Sequence, residues 1–196
     1  MIAIVDYGAG NVTSVRRGVQ YVGGECAVTS DPAVIDCADR IIVPGVGHFR
    51  ATAAFSRNGL GAALDRQVKA GKPVLGICLG MQWMFEASEE APELAGLGAF
   101  RGRCQRLPET VKSPHVGWNQ LNIRGECRLL AGVRSGVCVY FTHTYCAPIS
   151  AETVASCDYG VQFSAVVQKE NLFGVQFHPE KSGRAGLKML ENFCSC

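Results

Sequence analysis

The sequence predicts a single-domain α/β protein whose central sheet is mostly parallel, flanked by helices and extended by antiparallel strands in the second half of the chain. Strand and helix patterns alternate through the first half, and strand patterns dominate the second half until a last helical stretch. The chain has 196 residues and is 47% hydrophobic, which is enough for one sizeable core. We therefore expect residues 1–196 to form one domain.

The first half is typical of a β-α-β-α-β unit. Residues 2–5 are apolar and β-branched, and Asn11 can cap a helix that ends at Gly23-Gly24. The later elements are strands at 25–29, at 40–43 and from Pro73 to Cys78, a short helix or turn from Asp31, and a helix carrying Leu60, Leu64 and Val68. Strands joined through helices run parallel, so we expect a parallel sheet with helices on both faces.

The second half carries strand patterns with turn signals between them. The predicted strands are 103–107, 116–123, 136–142, 153–157, 161–168 and 172–177, and the predicted last helix is 183–193. Glu170-Asn171 suits a tight hairpin between the last two strands. These strands are expected to extend the sheet in antiparallel fashion.

The segment Gly76-Ile77-Cys78-Leu79-Gly80 follows an apolar run and resembles the strand–turn–helix elbow that presents a hydrolase nucleophile, with cysteine in the place of serine. Glycines allow the sharp turn and close packing. A helix starting near Leu79 would favour the thiolate of Cys78. Taken alone, the motif fits a buried structural cysteine equally well.

A matching base is predicted at Phe177-His178-Pro179-Glu180, after another apolar run. A thiol nucleophile needs a group that takes its proton and later delivers it to the leaving group, and His178 titrates near neutral pH. Glu180 can orient the imidazole, and Pro179 restricts the backbone between them. An isolated His-x-Glu would otherwise be an ordinary surface loop.

The loop Pro44-Gly45-Val46-Gly47 follows the strand 40–43 and can offer bare backbone N–H groups to an oxyanion. The amide of Leu79 would be the second donor. Taken alone, the loop is typical of a tight turn. This loop, Cys78 and His178 each follow the end of a strand, and active sites of open α/β sheets lie at that rim. We therefore expect the three segments to meet.

The bulk composition excludes several function classes. The net charge is +2 with 18% charged residues, and no long charged run points to nucleic acid or a membrane surface. The N-terminus reads as a strand rather than a signal peptide, and ten scattered cysteines without a CxxC pair argue against disulfides or a zinc site. We expect a cytoplasmic protein without metal or cofactor, in which only Cys78 has a chemical role.

With the elbow and the His-Pro-Glu segment, the chain resembles the class I (triad-type) glutamine amidotransferases. Within that family it is similar to the glutaminase subunits of imidazole glycerol phosphate synthases, over nearly its whole length. The blocks that carry this resemblance are Asp6–Asn11, Gly76–Gln82, Pro114–Asn119, Tyr140–Tyr145 and Phe177–Ser182. Val116 stands where such proteins usually have methionine, which is a mild change.

The resemblance implies a glutaminase that forms a thioester on Cys78, with His178 as acid and base and Glu180 as its orienting group. It implies glutamine-binding roles for Gly47, Gln82, Glu90, Thr144 and Tyr145, where the choice between Glu90 and Glu89 stays open. It also implies a heterodimer with a separate (β/α)₈ cyclase, which this chain is too short to contain. The implied partner-interface residues are Asn11, Trp118, Tyr140 and Lys181.

Three alternatives remain at this level. The chain could serve a different synthase, it could be a cysteine peptidase or esterase, or it could be a non-catalytic binding module. Gln82 and the 114–119 block favour glutamine and a partner over the peptidase. The other histidines are not expected to take part in the chemistry: His48 lies at a helix start, His143 supports the 144–145 segment, and His115 belongs to the 114–119 block, whose role is structural or at the partner contact.

Overall fold

The computed structural model describes all 196 residues, Met1–Cys196. In chain order the strands are β1 (Ile2–Val5), β2 (Cys26–Thr29), β3 (Arg40–Val43), β4 (Val74–Ile77), β5 (Phe85–Ser88), β6 (Phe100–Arg106), β7 (His115–Gln120), β8 (Asn122–Ile123), β9 (Cys138–His143), β10 (Tyr145–Cys146), β11 (Thr153–Asp158), β12 (Gln162–Lys169) and β13 (Leu172–Val175). The helices are α1 (Val12–Tyr21), α2 (Pro32–Cys37), α3 (Ala53–Arg57), α4 (Leu60–Lys69), α5 (Leu79–Trp83) and α6 (Gly183–Cys194). Short 3₁₀ turns cover Phe49–Thr52, Arg128–Leu130 and Pro179–Lys181.

Eight strands form the main sheet in the order β2-β1-β3-β4-β13-β12-β11-β8. The pairs from β2 to β13 are parallel, and the pairs from β13 to β8 are antiparallel. The predicted fold class is therefore confirmed. The hairpin at Glu170-Asn171 is also confirmed, and Glu170 adopts the left-handed conformation that such a turn requires, with φ +53°.

The helices begin where the sequence places caps. The side chain of Asn11 accepts a hydrogen bond from the N–H of Ser14 over 3.3 Å, and that of Asp31 accepts from Ala33 over 2.8 Å. Each cap satisfies an N–H group that the first helical turn leaves unpaired. His48 does the same for the turn Phe49–Thr52, through the N–H of Arg50 at 3.1 Å, as predicted for a helix start.

The core divides into two layers, one on each face of the main sheet. Successive residues of β1 supply opposite faces: Ile2 and Ile4 pack with α1 and α6, while Ala3 and Val5 pack with α2 and α4. Strands buried on both faces read as continuous apolar runs, which is why the first-half strands were predictable from sequence.

The second half differs from prediction in how its strands are distributed. The strands predicted at 103–107, 116–123 and 136–142 do not extend the main sheet as a group. Their observed bounds differ from the predicted ones by one to three residues at most ends. The first supplies β6 of a three-stranded sheet (β10-β6-β5), and the other two supply β7 and β9 of a two-stranded ribbon. Only β8, at the end of the predicted 116–123 strand, joins the main sheet, because the chain breaks at the buried Leu121. The last predicted strand, 172–177, ends earlier, at Val175.

No helix in the structure combines the length and the apolar character needed to cross a lipid bilayer.

Candidate active site

Three neighbouring parallel strands, β3, β4 and β13, end at one rim of the main sheet, and the predicted motifs follow those ends. The 44–47 loop follows β3, Cys78 follows β4, and His178 comes shortly after β13. The N–H of Cys78 donates to the carbonyl of Val175 over 2.7 Å, so the nucleophile and base segments are joined directly. The rim predicted from the sequence is therefore present.

Cys78 occupies a strained turn. Its backbone has φ +53° and ψ −107°, a conformation that residues with a side chain rarely adopt. Such strain costs roughly 1–3 kcal/mol and concentrates at functional sites. A Cβ at Gly76 would lie 2.7 Å from the nitrogen of Met81, and one at Gly80 would lie under 3.0 Å from the carbonyl oxygen of Val43. Both elbow glycines are thus required by close backbone packing.

His178 and Glu180 form a buried pair. The imidazole Nδ1 lies 2.9 Å from Oε1 of Glu180, and the two side chains are 2% and 1% exposed. The other ring nitrogen, Nε2, is buried and makes no hydrogen bond to the protein. Because Nδ1 is fixed by the carboxylate, Nε2 is the nitrogen available for proton exchange at the rim.

The electrostatics of the site couple these groups to the sulfur. Burial alone would lower the pKa of His178, but interactions with Cys78 and Glu180 outweigh burial and raise that pKa well above its usual range. A protonated imidazole beside the sulfur holds a proton ready for a leaving group. The imidazole of His178 thus interacts with both of the other predicted catalytic side chains.

A residue that the sequence reasoning missed also contacts the sulfur. Gln176 is fully buried, and its Nε2 donates to Sγ of Cys78 over 3.6 Å. Its Oε1 accepts from Nε2 of Gln82 over 3.1 Å, and the same Nε2 donates to the carbonyl of Tyr145 over 2.7 Å. Two linked carboxamides therefore connect the sulfur to the 144–145 segment. The overlooked signal was a glutamine within an apolar run just before the base.

We expect Gln176→Leu to slow the reaction of Cys78. The substitution keeps a similar volume but removes a donor that stabilises negative charge on sulfur, and a hydrogen bond to a charged group is worth roughly 1.5–3 kcal/mol. We expect kcat for glutamine hydrolysis to fall about tenfold or more. Alkylation of Cys78 by iodoacetamide, followed by peptide mass spectrometry, should slow in parallel. Gln20→Leu, at an exposed position on α1, is the control, and equal alkylation rates in the two variants would contradict the assignment.

A cleft of about 280 Å³ opens beside the nucleophile. All five residues predicted to bind glutamine line it, together with Cys78 and Leu79: they are Gly47, Gln82, Glu90, Thr144 and Tyr145. Of the two glutamates between which the choice stayed open, only Glu90 lines the cleft. Glu90 faces the cleft and accepts from the N–H of Phe49 over 2.7 Å, whereas Glu89 lies outside it and accepts from the N–H of Arg106 over 3.1 Å.

The predicted oxyanion-hole residues divide into two groups. Gly47 and Leu79 line the cleft beside Cys78, while Gly45 and Val46 are not part of its lining. A Cβ at Gly45 would lie under 3.0 Å from Cβ of Leu79 and from the nitrogen of Gly80, so the loop packs tightly against the start of α5. The loop therefore lies at the site, against the first turn of α5.

His115 and His143 form a buried pair beside the cleft. Nδ1 of His115 lies 3.1 Å from Nε2 of His143, and Nδ1 of His143 lies 3.0 Å from the carbonyl of Tyr145. The ring of His115 stacks on Tyr159 at 3.9 Å and on Phe141 at 4.8 Å. The expectation of structural roles for these two histidines agrees with these contacts, since both rings are packed and His143 holds the 144–145 segment through Tyr145.

Burial makes this pair sensitive to acid. Burial lowers the pKa of His115 to about 4, and burial together with His115 lowers that of His143 to about 3. An unfolded histidine titrates near 6.5, so the unfolded chain takes up protons first, and stability is lost as pH falls below about 6.5. Because the pKa of His178 is raised, this residue changes the free energy of unfolding mainly at pH values above 6.5. It therefore does not alter the loss of stability below pH 6.5.

We expect the free energy of unfolding to drop by about 2 kcal/mol for each buried imidazole between pH 6.5 and pH 5. Urea denaturation at the two pH values measures this change. His143→Gln should flatten the dependence, while Gln20→Leu, at an exposed position without a titratable group, should leave it unchanged. Identical urea midpoints for the unmodified protein at both pH values would contradict the prediction.

Three of the predicted partner residues form one surface group, here called the interface cluster: Trp118, Tyr140 and Lys181. The rings of Trp118 and Tyr140 meet edge to face at 6.1 Å, and Nζ of Lys181 lies 5.8 Å from the Tyr140 ring centre. Trp118 is 58% exposed, so it is not a core residue. Asn11 lies apart from these contacts as the cap of α1, a helix that packs against the turn containing Lys181.

The interface cluster is connected to the catalytic base through the backbone. The N–H of His178 donates to the carbonyl of Tyr140 over 2.9 Å. The hydroxyl of Ser182 accepts from the N–H of Tyr140 over 2.9 Å and donates to the carbonyl of His178 over 2.6 Å. Ser182 is a further residue whose role the sequence did not indicate. A displacement of Tyr140 would therefore move the base.

Comparison with known proteins identifies relatives that match nearly the whole chain. The profile of the family described as glutamine amidotransferase class-I matches residues 3–195. The chain is 47% identical to imidazole glycerol phosphate synthase subunit HisH of Thermococcus kodakarensis, with 98% of each chain covered. It is 45% identical to the same subunit of Moorella thermoacetica, covering 98% of this chain and 93% of that one. A solved glutamine amidotransferase structure covers all of both chains with a TM-score of 0.79 at 15% identity, a likeness of fold.

Proposed function

The chain belongs to the class-I glutamine amidotransferase family, and we propose that residues 1–196 form the glutaminase subunit of an imidazole glycerol phosphate synthase in histidine biosynthesis. It hydrolyses glutamine to glutamate and ammonia, and it passes the ammonia to a separate cyclase subunit. The observation that carries this proposal is the cleft in which Cys78 meets all five residues expected to hold glutamine, beside the His178–Glu180 pair.

In the first half of the reaction the sulfur of Cys78 attacks the side-chain amide carbon of glutamine. The C–S bond forms as the carbonyl π-bond opens, and the oxygen takes negative charge. The amides of Leu79 and of the 45–47 loop are the proposed donors to that oxygen. Imidazolium His178 gives its proton to the amide nitrogen, the C–N bond breaks, and ammonia leaves a thioester on Cys78.

In the second half His178, now neutral, takes a proton from water, and the hydroxide attacks the thioester carbon. The C–S bond breaks, glutamate is released, and the sulfur and imidazole return to their starting state. Glu180 keeps the imidazole in one orientation through both steps and favours its charged form. Gln176 supports the sulfur whenever it carries negative charge.

The cleft offers complementary groups for the backbone end of glutamine. The carboxylate of Glu90 suits the α-ammonium group, while the segment Thr144–Tyr145 and the amide of Gly47 suit the α-carboxylate. Gln82 has its Nε2 bound to the protein, so its Oε1 is the atom left for the substrate. Ten free cysteines suit a reducing compartment, and we propose that the complex works in the cytoplasm.

The function is tested by measuring glutamate release from glutamine with and without the separately purified cyclase and its nucleotide substrate. We expect a slow rate alone and a clear rise when both are added. Growth of a histidine auxotroph lacking this subunit, restored by the gene, separates the histidine pathway from service to another synthase. A glutamine hydrolysis rate that never responds to the cyclase would count against the coupling.

The interface cluster is proposed to dock the cyclase. An exposed tryptophan packed on a tyrosine is a common anchor at protein interfaces, and loss of such an anchor costs about 2 kcal/mol or more of binding. We expect Trp118→Ala to weaken the affinity for the cyclase at least tenfold in calorimetric titration, with little change in melting temperature. Tyr21→Ala removes an exposed aromatic ring elsewhere and should bind normally. Unchanged affinity of Trp118→Ala would remove the cluster from the interface.

A further inference from the structure

Tyr7 is a buried residue at the active-site rim that the proposed mechanism does not use. It follows β1, which is the neighbour of β3 in the main sheet, so its segment ends at the same rim as the 44–47 loop. The residue is 5% exposed, and its hydroxyl is fully buried without a hydrogen-bond partner. A buried polar atom of this kind is costly and calls for an explanation.

The ring of Tyr7 is held firmly, so the hydroxyl position is fixed. The ring lies 4.4 Å from that of Phe55, which in turn lies 4.2 Å from Trp83. At its other end, the hydroxyl faces Gly45: a Cβ built on that glycine would lie under 3.0 Å from the hydroxyl oxygen. The hydroxyl therefore abuts the loop that is proposed to supply oxyanion donors.

The hydroxyl can act only as a neutral group here. Burial, and then the nearby sulfur of Cys78, raise the pKa of Tyr7, so it keeps its proton. A neutral phenol can donate a hydrogen bond, and the backbone of the 44–47 loop, which lies beside this hydroxyl, carries carbonyl acceptors. Because Gly45 has no Cβ, rotation of the two peptide planes that flank it has a low steric cost.

Rotation of such a plane has two linked results. When the N–H of a peptide turns towards the cleft, its carbonyl oxygen turns the opposite way, into the protein. A buried carbonyl without a donor would make that conformation unfavourable. We propose that the Tyr7 hydroxyl is a positioning group that donates to the inward carbonyl of a peptide flanking Gly45 and so stabilises the loop conformation in which N–H groups face the oxyanion. This inference rests on the proposed glutaminase function.

Tyr7→Phe tests the inference because it removes one oxygen atom and keeps the ring. A group that shifts the loop equilibrium acts most where the aligned state is rare. We expect the rate of glutamine hydrolysis without cyclase to fall about tenfold. The rate with cyclase and its nucleotide substrate should fall less, because we expect their binding to favour the aligned loop as well. The KM for glutamine should stay unchanged, and the melting temperature should stay unchanged or rise.

Tyr21→Phe, which removes an exposed hydroxyl, is the matched control and should behave as the unmodified protein. Equal losses in both rates would place Tyr7 in the chemical step and overturn the positioning role. A lower melting temperature with unchanged rates would make the hydroxyl merely structural, and unchanged rates with an unchanged melting temperature would leave it without a role. If the unmodified protein itself hydrolyses no glutamine, the proposed function fails first, independently of Tyr7.

Discussion

Replacement of Cys78 by alanine is expected to abolish glutamine hydrolysis, with a loss of about 10⁴-fold or more, because no other group at the rim can form the thioester. Synthesis that uses free ammonium salt in place of glutamine should continue at the normal rate in the complex with the cyclase. The reason is that the sulfur is the proposed reacting atom, whereas the proposed docking site is the interface cluster, which does not include Cys78. Glutamate release and ammonia-dependent cyclisation, measured side by side, check the two halves of this expectation.

Cys37→Ala is the matched control, because that cysteine lies exposed on α2, away from the rim. It should leave both activities unchanged. Among the other thiols, burial raises the pKa of Cys146 to about 12 and that of Cys157 to about 12, so neither can substitute as a nucleophile at neutral pH. Measurable hydrolysis by Cys78→Ala would remove this cysteine from the mechanism.

The second large effect is expected from Gly80→Ala. A Cβ at this position would meet the carbonyl group of Val43, which belongs to the backbone of β3 and cannot rotate away. Either α5 or the end of β3 must shift, and both carry parts of the site: Leu79 begins α5, and the 44–47 loop continues β3. We expect a loss of about 3 kcal/mol or more in the free energy of unfolding, and severe loss of hydrolysis in any folded fraction.

Chemical denaturation and glutamate release measure these two effects. Gly125→Ala is the control, since a Cβ there meets no atom within 4 Å, and it should be nearly neutral. A Gly80→Ala protein with normal stability and normal activity would show that the elbow tolerates a wider separation of helix and strand. In that case the close packing of α5 on β3 would not be needed for the site.

The sequence predicted the first half of the fold well for a physical reason. Strands buried on both faces, such as 40–43, are continuous apolar runs, and caps such as Asn11 mark helix starts directly. The triad segments were predictable because each chemical residue follows such a strand. Their shared rim follows from parallel connectivity rather than from any feature of the side chains themselves.

Other features lay beyond sequence reasoning because they depend on tertiary contacts. The segment Phe85–Ser88 has no β-branched residue, and β10 has two residues, so neither shows a strand pattern. Half-exposed strands such as β7 have the same alternating sequence pattern whether they join the main sheet or a separate ribbon. The contacts of Gln176 and Ser182 with the site depend on hydrogen bonds that only the folded structure shows. The exposure of Trp118 likewise depends on which side chains pack around it.

The direct backbone bond between Cys78 and Val175 means that the proposed nucleophile and its proposed base are aligned by two adjacent strands, not by the long stretch of chain between them. A polypeptide divided within the exposed residues 124–126 would carry the nucleophile on one fragment and the imidazole on the other. Each fragment alone would be inert. Association of the two fragments would restore glutamine hydrolysis, so the fold is suited to use as a split enzyme.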